Sequence, residues 1–175
     1  MNPDLFVSLR TERLVLRPTV PGDASRAIEI RSDPQVARNL ASATIPPDAE
    51  KMTDWFAGHS QEWLQGTAYR FAITLDDRLI GVCDLFDVAD GKGEIGYWLD
   101  RAVWRRGFGL EAARCLVEFG IKDVGLKYLI AGCADDNAGS AAILLKLGFE
   151  RLADTVVFSS SRQEDITQRR FRLIS

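Results

Sequence analysis

Trp104-Arg105-Arg106-Gly107-Phe108-Gly109-Leu110-Glu111-Ala112 lies between a strand-like run and the start of an amphipathic helix. Two glycines one residue apart let the backbone turn so that successive N–H groups point outward at the helix N-terminus, where the macrodipole also favours negative charge. This is an anion cradle. A diphosphate suits it, with Arg105 and Arg106 adding charge-assisted contacts at the rim. Alone, the stretch also reads as a plain helix-start loop with two solvated arginines. The same residues satisfy Gly-x-Gly-x-x-Ala at Gly107, Gly109 and Ala112, which raises a dinucleotide-binding fold. In that fold the glycines follow the first strand directly and an acidic residue ends the second strand. Here residues 100–104 intervene, residues 128–133 contain no Asp or Glu, and too little chain follows for a doubly wound sheet.

Working outward, residues 94–100 read as the strand before the cradle, and Leu110, Ala113, Leu116, Val117 and Phe119 form the helix stripe after it. Upstream, residues 69–75 and 79–85 are joined across Asp76, Asp77 and Arg78, which predicts an antiparallel hairpin; a looser turn follows at 91–93. Residues 9–18 alternate as one half-exposed strand stopped at Pro18, and Asp23 is expected to cap a short helix that ends before Pro34. Pro46 and Pro47 lead into a helix carrying Met52, Trp55, Phe56, His59 and Trp63, closed at Gly66. Downstream, 128–133 is a short buried strand, 137–147 a helix closed by Gly148, and 155–159 and 166–173 are two tail strands. The order is that of a mixed α/β domain built on one central sheet.

The chain has 175 residues, 46% of them hydrophobic and 27% charged, with a net charge of −3. That is one domain, spanning 1–175 with its core at about 9–174, and not a disordered chain. The acidic balance disfavours nucleic acid as the main ligand. No run reaches the roughly 20 apolar residues needed to cross a bilayer, so no membrane partner and a cytoplasmic location are expected. Cys83, Cys115 and Cys133 are odd in number and far apart, which suits small hydrophobes in a reducing compartment and no metal.

Four stretches resemble the GNAT superfamily of acyl-CoA N-acyltransferases, and within it the RimJ/RimL-type branch that acetylates protein N-termini. They are Thr11-Glu12-Arg13-Leu14-Val15-Leu16-Arg17-Pro18 with Asp23; Glu94-Ile95-Gly96-Tyr97-Trp98-Leu99; Trp104 through Ala112; and Asn137-x-x-Ser140 with Lys146-x-Gly148-Phe149. The family's cradle usually begins with Gln or Arg, where this chain has Trp104; the phosphate-facing groups are backbone amides, so the change matters little. The resemblance implies a central twisted, mostly antiparallel sheet flanked by helices. It also implies an acetyl-CoA site: the pyrophosphate on the amides of Arg106, Gly107, Phe108, Gly109 and Leu110, the pantetheine arm beside Leu99, and Asn137 and Ser140 at the thioester end. A homodimer is a further expectation of the likeness.

Acetyl transfer to an amine needs a neutral nucleophile, a polarised carbonyl and a proton for the departing thiolate. An α-amino group with a pKa of about 8 is already partly neutral at pH 7, so a modest base suffices. A backbone N–H near Leu99 can polarise the carbonyl. Many members of the family place the acid, a Tyr, where this chain has Leu144; in the similar branch the role is proposed for the Ser of Asn-x-x-Ser, here Ser140. Ser140 reads equally as a helix-start residue and Asn137 as a helix cap. Glu94 and Asp84, on central strands, are the base candidates, because the carboxylate of the penultimate strand has no match among residues 155–159. His59, the only histidine, reads as a packed core-edge residue on its aromatic stripe, with Trp55 or Trp63 reaching the acceptor side. The expected function is acetyl transfer from acetyl-CoA to a protein N-terminal α-amine or a small amine. The alternative is a catalytically idle acyl-CoA-binding or regulatory module.

Overall fold

A computed structural model describes residues 6–175. Among the described residues nine strands form a single sheet in the order β1-β2-β3-β4-β5-β6-β9-β7, with β8 also paired to β9. Every pairing is antiparallel except β5 (Lys92–Leu99) with β6 (Tyr128–Ala134). That parallel pair needs a crossover, and α4 (Phe108–Lys122) supplies it.

The expected strand over 9–18 is instead a hairpin of β1 (Leu9–Arg10) and β2 (Val15–Pro18). Thr11 breaks it: its amide donates to the Leu14 carbonyl at 3.0 Å and its hydroxyl accepts from the Leu14 amide at 2.9 Å. Asp23 does not cap α1 (Asp23–Arg31); it is the first helical residue, and its carboxylate accepts from the Val20 amide and pairs with Arg17 at 2.7 Å. Asp33 caps a four-residue helix, α2 (Pro34–Ala37), and Asp48 caps α3 (Ala49–Gln65), one residue beyond the two prolines. Gly66 ends α3 at φ +70°.

The hairpin of β3 (Tyr69–Leu75) and β4 (Arg78–Ala89) turns on Asp76 and Asp77, both at positive φ, as a two-residue primed turn requires. α5 (Ala138–Lys146) follows β6, and a short strand unforeseen in the sequence, β7 (Glu150–Arg151), precedes β8 (Thr155–Ser159) and β9 (Glu164–Ile174).

The two sheet faces are dressed differently. Phe71, Cys83, Leu85, Ile95 and Leu99 share the main core with Leu116 and Phe119 of α4 and Leu144 of α5. Trp63, Tyr69, Phe71 and Phe119 interlock there, four pairs edge to face at 5.0 to 5.4 Å and Trp63 with Phe119 tilted at 6.2 Å. On the opposite face Val82 packs with Ala24, Ala27, Met52 and Phe56 of α1 and α3. This alternation along β4 puts Asp84 on the α1/α3 face, two residues from Val82.

Candidate active site

β5 and β6 pair only from Lys92 with Tyr128 to Ile95 with Ala131. The next residue on each strand is a glycine, Gly96 and Gly132, and from there the strands share no register among the described residues. The result is a wedge opening toward the C-terminal ends of two parallel strands. Asp100 N–H donates to the Ile80 carbonyl on β4 at 2.7 Å, so alternation turns the Leu99 and Tyr97 amides the other way, toward the wedge.

The N-terminus of α4 stands at the mouth of this wedge. Gly107 precedes it at φ +84° and has no side-chain cap. The first helical bond runs from Glu111 N–H to the Gly107 carbonyl, which leaves the Phe108, Gly109 and Leu110 amides without a backbone acceptor. A Cβ on Gly109 would lie 3.1 Å from Ile143 and 3.4 Å from Leu99, so the residue must be small for α4, α5 and β5 to meet. The loop is pinned from the β1–β2 hairpin. Arg13 donates to the Arg106 carbonyl at 3.0 Å, pairs with Glu111 at 2.7 Å and covers the Phe108 ring at 4.5 Å. Thr11 donates to the other Glu111 oxygen at 2.6 Å. Burial alone would raise the Glu111 carboxyl, but these bonds and the Arg13 amide outweigh it and hold the pKa below the usual range. The Thr11–Arg13 motif therefore fixes the cradle. Arg105 and Arg106 are exposed, and Trp104 donates its indole N–H to the Leu99 carbonyl at 2.9 Å, tying the loop to β5.

On the α5 side of the wedge Asn137 caps the helix, accepting from the Ser140 amide at 3.1 Å. The Ser140 hydroxyl is free of that cap and lies 2.9 Å from Tyr97 Oη, which also donates to the Ser140 carbonyl at 3.3 Å. Burial is the main influence on Tyr97 and raises its pKa well above that of an exposed phenol, so the ring stays protonated. Leu144 is 1% exposed in the main core.

On the α1/α3 face one row crosses the sheet: Arg70 pairs with Asp84, and Asp84 with Gly96. A Cβ at Gly96 would lie 2.7 Å from Asp84 Oδ1, so only glycine lets the carboxylate lie across β5. Asp84 Oδ2 takes a bond from Arg70 at 2.5 Å, and Arg70 also binds Glu62 at 2.6 Å. Burial raises the Asp84 pKa to about 6 against the opposing Arg70 charge. Beyond the wedge, Gly132 pairs with Arg170, whose guanidinium grips both oxygens of Glu94 at 2.8 and 2.9 Å.

His59 is wholly buried, its Nδ1 2.7 Å from Thr19 Oγ1 and its ring against Trp55 and Phe56. Of the two tryptophans of the stripe, Trp55 reaches the charged row, with Arg70 5.0 Å above its ring, whereas Trp63 is core. The sequence reading missed Arg70 and Tyr97. A charged residue inside an apolar run on each of two neighbouring strands, Arg70 and Asp84, was the available signal.

A wedge between parallel strands with free helix amides at its mouth is suited to a long ligand bearing a diphosphate. Residues 13–150 match the acetyltransferase (GNAT) domain family. The chain belongs to that family. GNAT acetyltransferases use acetyl-CoA, and the unpaired amides of α4 suit its diphosphate. The chain is 31% identical over 174 residues to the uncharacterized N-acetyltransferase p20 of Bacillus licheniformis, covering 90% of this chain and 97% of that one. It is 31% identical over 87 residues to the ribosomal-protein-serine acetyltransferase of Escherichia coli (strain K12), 49% of each chain. Mycobacterium smegmatis RimJ in complex with CoA-disulfide superimposes with a TM-score of 0.85 at 20% identity, over 100% of this chain and 90% of that one, which speaks to the GNAT fold. Among the described residues no helix is long and apolar enough to cross a membrane and no cluster of side chains is arranged to hold a metal ion.

Proposed function

We propose that this acetyltransferase acts as one domain over 1–175 and moves the acetyl group of acetyl-CoA to an α-amino group, that of a protein N-terminus such as a ribosomal protein's or of a small amine. The observation that carries the reading is the Asp84 carboxylate lying over Gly96 at the point where β5 and β6 part. An amine on the α1/α3 face meets a base there, while the opposite face of the wedge presents the Ser140 hydroxyl. The relative named for ribosomal-protein serine supports a protein N-terminus as acceptor.

Acetyl-CoA supplies the activated acyl group. Its diphosphate is held by the Arg106 to Leu110 amides with Arg105 and Arg106 at the rim, its arm lies beside Leu99, and Asn137 borders the thioester end. Asp84 takes the proton of the attacking amine; a carboxyl with a pKa of about 6 is ionised at pH 7 and a stronger base than an exposed aspartate. Glu94 is the other carboxylate at the wedge, but both its oxygens already accept hydrogen bonds from Arg170, so it serves better to anchor β9 to β5. The amide of Leu99 or Tyr97 stabilises the negative charge that develops on the thioester oxygen. Ser140 gives its proton to the departing thiolate, and no covalent acyl-enzyme forms.

The experiment is incubation with acetyl-CoA and a peptide bearing a free N-terminal serine, read by mass spectrometry of the peptide. Acetyl on the α-amine, formed about 100-fold more slowly by Asp84→Asn, supports the reading. Binding of acetyl-CoA with no acetylation across a broad amine panel would make the protein an idle acyl-CoA-binding module instead.

A further inference from the structure

The charges beside the wedge are nearly all answered within the protein. Arg70 is bound to Glu62 and Asp84, Arg170 to Glu94, and Arg17 to Asp23. On the Asp84 face Arg31, the last residue of α1, is the exception. It is half-buried, with its guanidinium carbon 5.9 Å from the centroid of the Trp98 ring, and it makes no hydrogen bond or ion pair among the described residues. Desolvation lowers its pKa, and the charge of Asp84 is the opposing influence. A partly desolvated guanidinium without a protein acceptor is a group that a ligand oxygen can bind.

The sheet register places Trp98, the ring nearest its guanidinium, beside the base. Trp98 stands opposite Val82, and Gly96 opposite Asp84, all on the α1/α3 face. Two residues along a strand cover about 7 Å. An amine bound to Asp84, with a carbonyl carbon one atom beyond its α-carbon and that oxygen bound to a guanidinium, spans a similar length when both hydrogen bonds are about 2.8 Å. An alkyl amine carries no such oxygen.

We propose that Arg31 is a specificity-determining residue that binds the α-carbonyl or α-carboxylate oxygen of an α-amino acyl acceptor, beside the Trp98 ring, while the amine faces Asp84. The inference rests on the acetyltransferase reading above and adds the residue that separates α-amino acyl groups from lysine side chains and polyamines. Charge sets the source: a peptide N-terminus offers a neutral carbonyl, a free amino acid a carboxylate that would pair with Arg31.

The test compares wild type, Arg31→Met and Arg31→Lys by release of CoA thiol, with a serine-initiated peptide, free serine and n-butylamine as acceptors, and titrates each protein with acetyl-CoA. Arg31→Met is expected to raise KM for the α-amino acyl acceptors roughly 10- to 100-fold. Arg31→Lys recovers part of that, and neither variant changes the KM for butylamine or the acetyl-CoA affinity. Preference for the peptide assigns the carbonyl, preference for serine the carboxylate. An equal loss with butylamine, or no change in KM with either α-amino acyl acceptor, overturns the proposal. Wild-type turnover of butylamine but of neither serine nor the peptide also overturns it while leaving the acetyltransferase reading intact; acetyl-CoA binding with no acceptor turned over sinks both.

Discussion

Tyr97 Oη stands 2.9 Å from Ser140 Oγ, joining β5 to α5 across the wedge on the face opposite Asp84. The pair has two consequences. It fixes the rotamer of a serine whose amide is already committed to the Asn137 cap, and it places two hydroxyls where Leu144 leaves none.

Replacing Ser140 with Ala should lower kcat by about 100-fold or more, the usual range for loss of a proton donor. Tyr97→Phe should cost only about 3- to 10-fold, the worth of one neutral hydrogen bond. Acetyl-CoA affinity should stay level in both, so steady-state kinetics combined with calorimetry separates positioning from binding.

Asp84 makes a pH prediction with two parts. With its pKa raised to about 6, log kcat/KM against pH should climb with slope two below that value and with slope one up to the amine's own pKa near about 8; Asp84→Asn should remove the extra slope. Because the folded pKa lies above the unfolded one, the native state holds the proton more tightly. The carboxyl therefore stabilises the fold at low pH relative to high, and that contribution is lost as pH rises from about 4 to 6. From pH 4 to pH 8 the stability of Asp84→Asn relative to wild type should accordingly rise by about 1 to 3 kcal/mol in urea titrations, while its turnover falls about 100-fold.

His59 acts in the opposite sense. Burial, reinforced by the Arg70 charge, pulls its pKa down to about 4, so its stabilising contribution is complete above about pH 6.5 and is lost as pH falls toward 4. The difference in stability between wild type and His59→Leu should change by about 3 kcal/mol across that window. A pH-independent difference would mean that the ring titrates freely despite its burial.

How far the sequence carried the site depended on the range of the interactions. The shape of the helix starts is local: Gly107 with its positive φ, the bare start of α4 and Asn137 at the cap of α5 are set by neighbours within four residues. The same is true of Gly66 closing α3 and of the Asp76–Asp77 turn. Asp84 and Glu94 were both visible as acids on central strands, but only cross-strand register shows that one lies over Gly96 and the other is gripped by Arg170. Tyr97 with Ser140, and Arg13 with Glu111, join residues 43 and 98 positions apart, beyond any periodicity. Thr11 split the first strand for a similar reason, since its turn pays off only when its hydroxyl also reaches Glu111.

The Arg13–Glu111 pair is also testable. Glu111→Ala leaves Arg13 and Thr11 without their shared acceptor at the foot of the cradle, and should weaken acetyl-CoA binding about 10-fold while leaving kcat at saturation nearly unchanged. An unchanged dissociation constant would show that the hairpin does not hold the loop.

The most direct test of the central claim, that the start of α4 and the wedge beside it hold acyl-CoA, is calorimetric titration of wild type and Gly107→Glu with acetyl-CoA, with NAD as the control ligand and circular dichroism to confirm folding. The predicted result is saturable binding of acetyl-CoA alone by wild type, weakened at least about 100-fold by a side chain that brings bulk and negative charge to a position at φ +84°. Equal binding by the folded variant, or no binding by wild type, would contradict it.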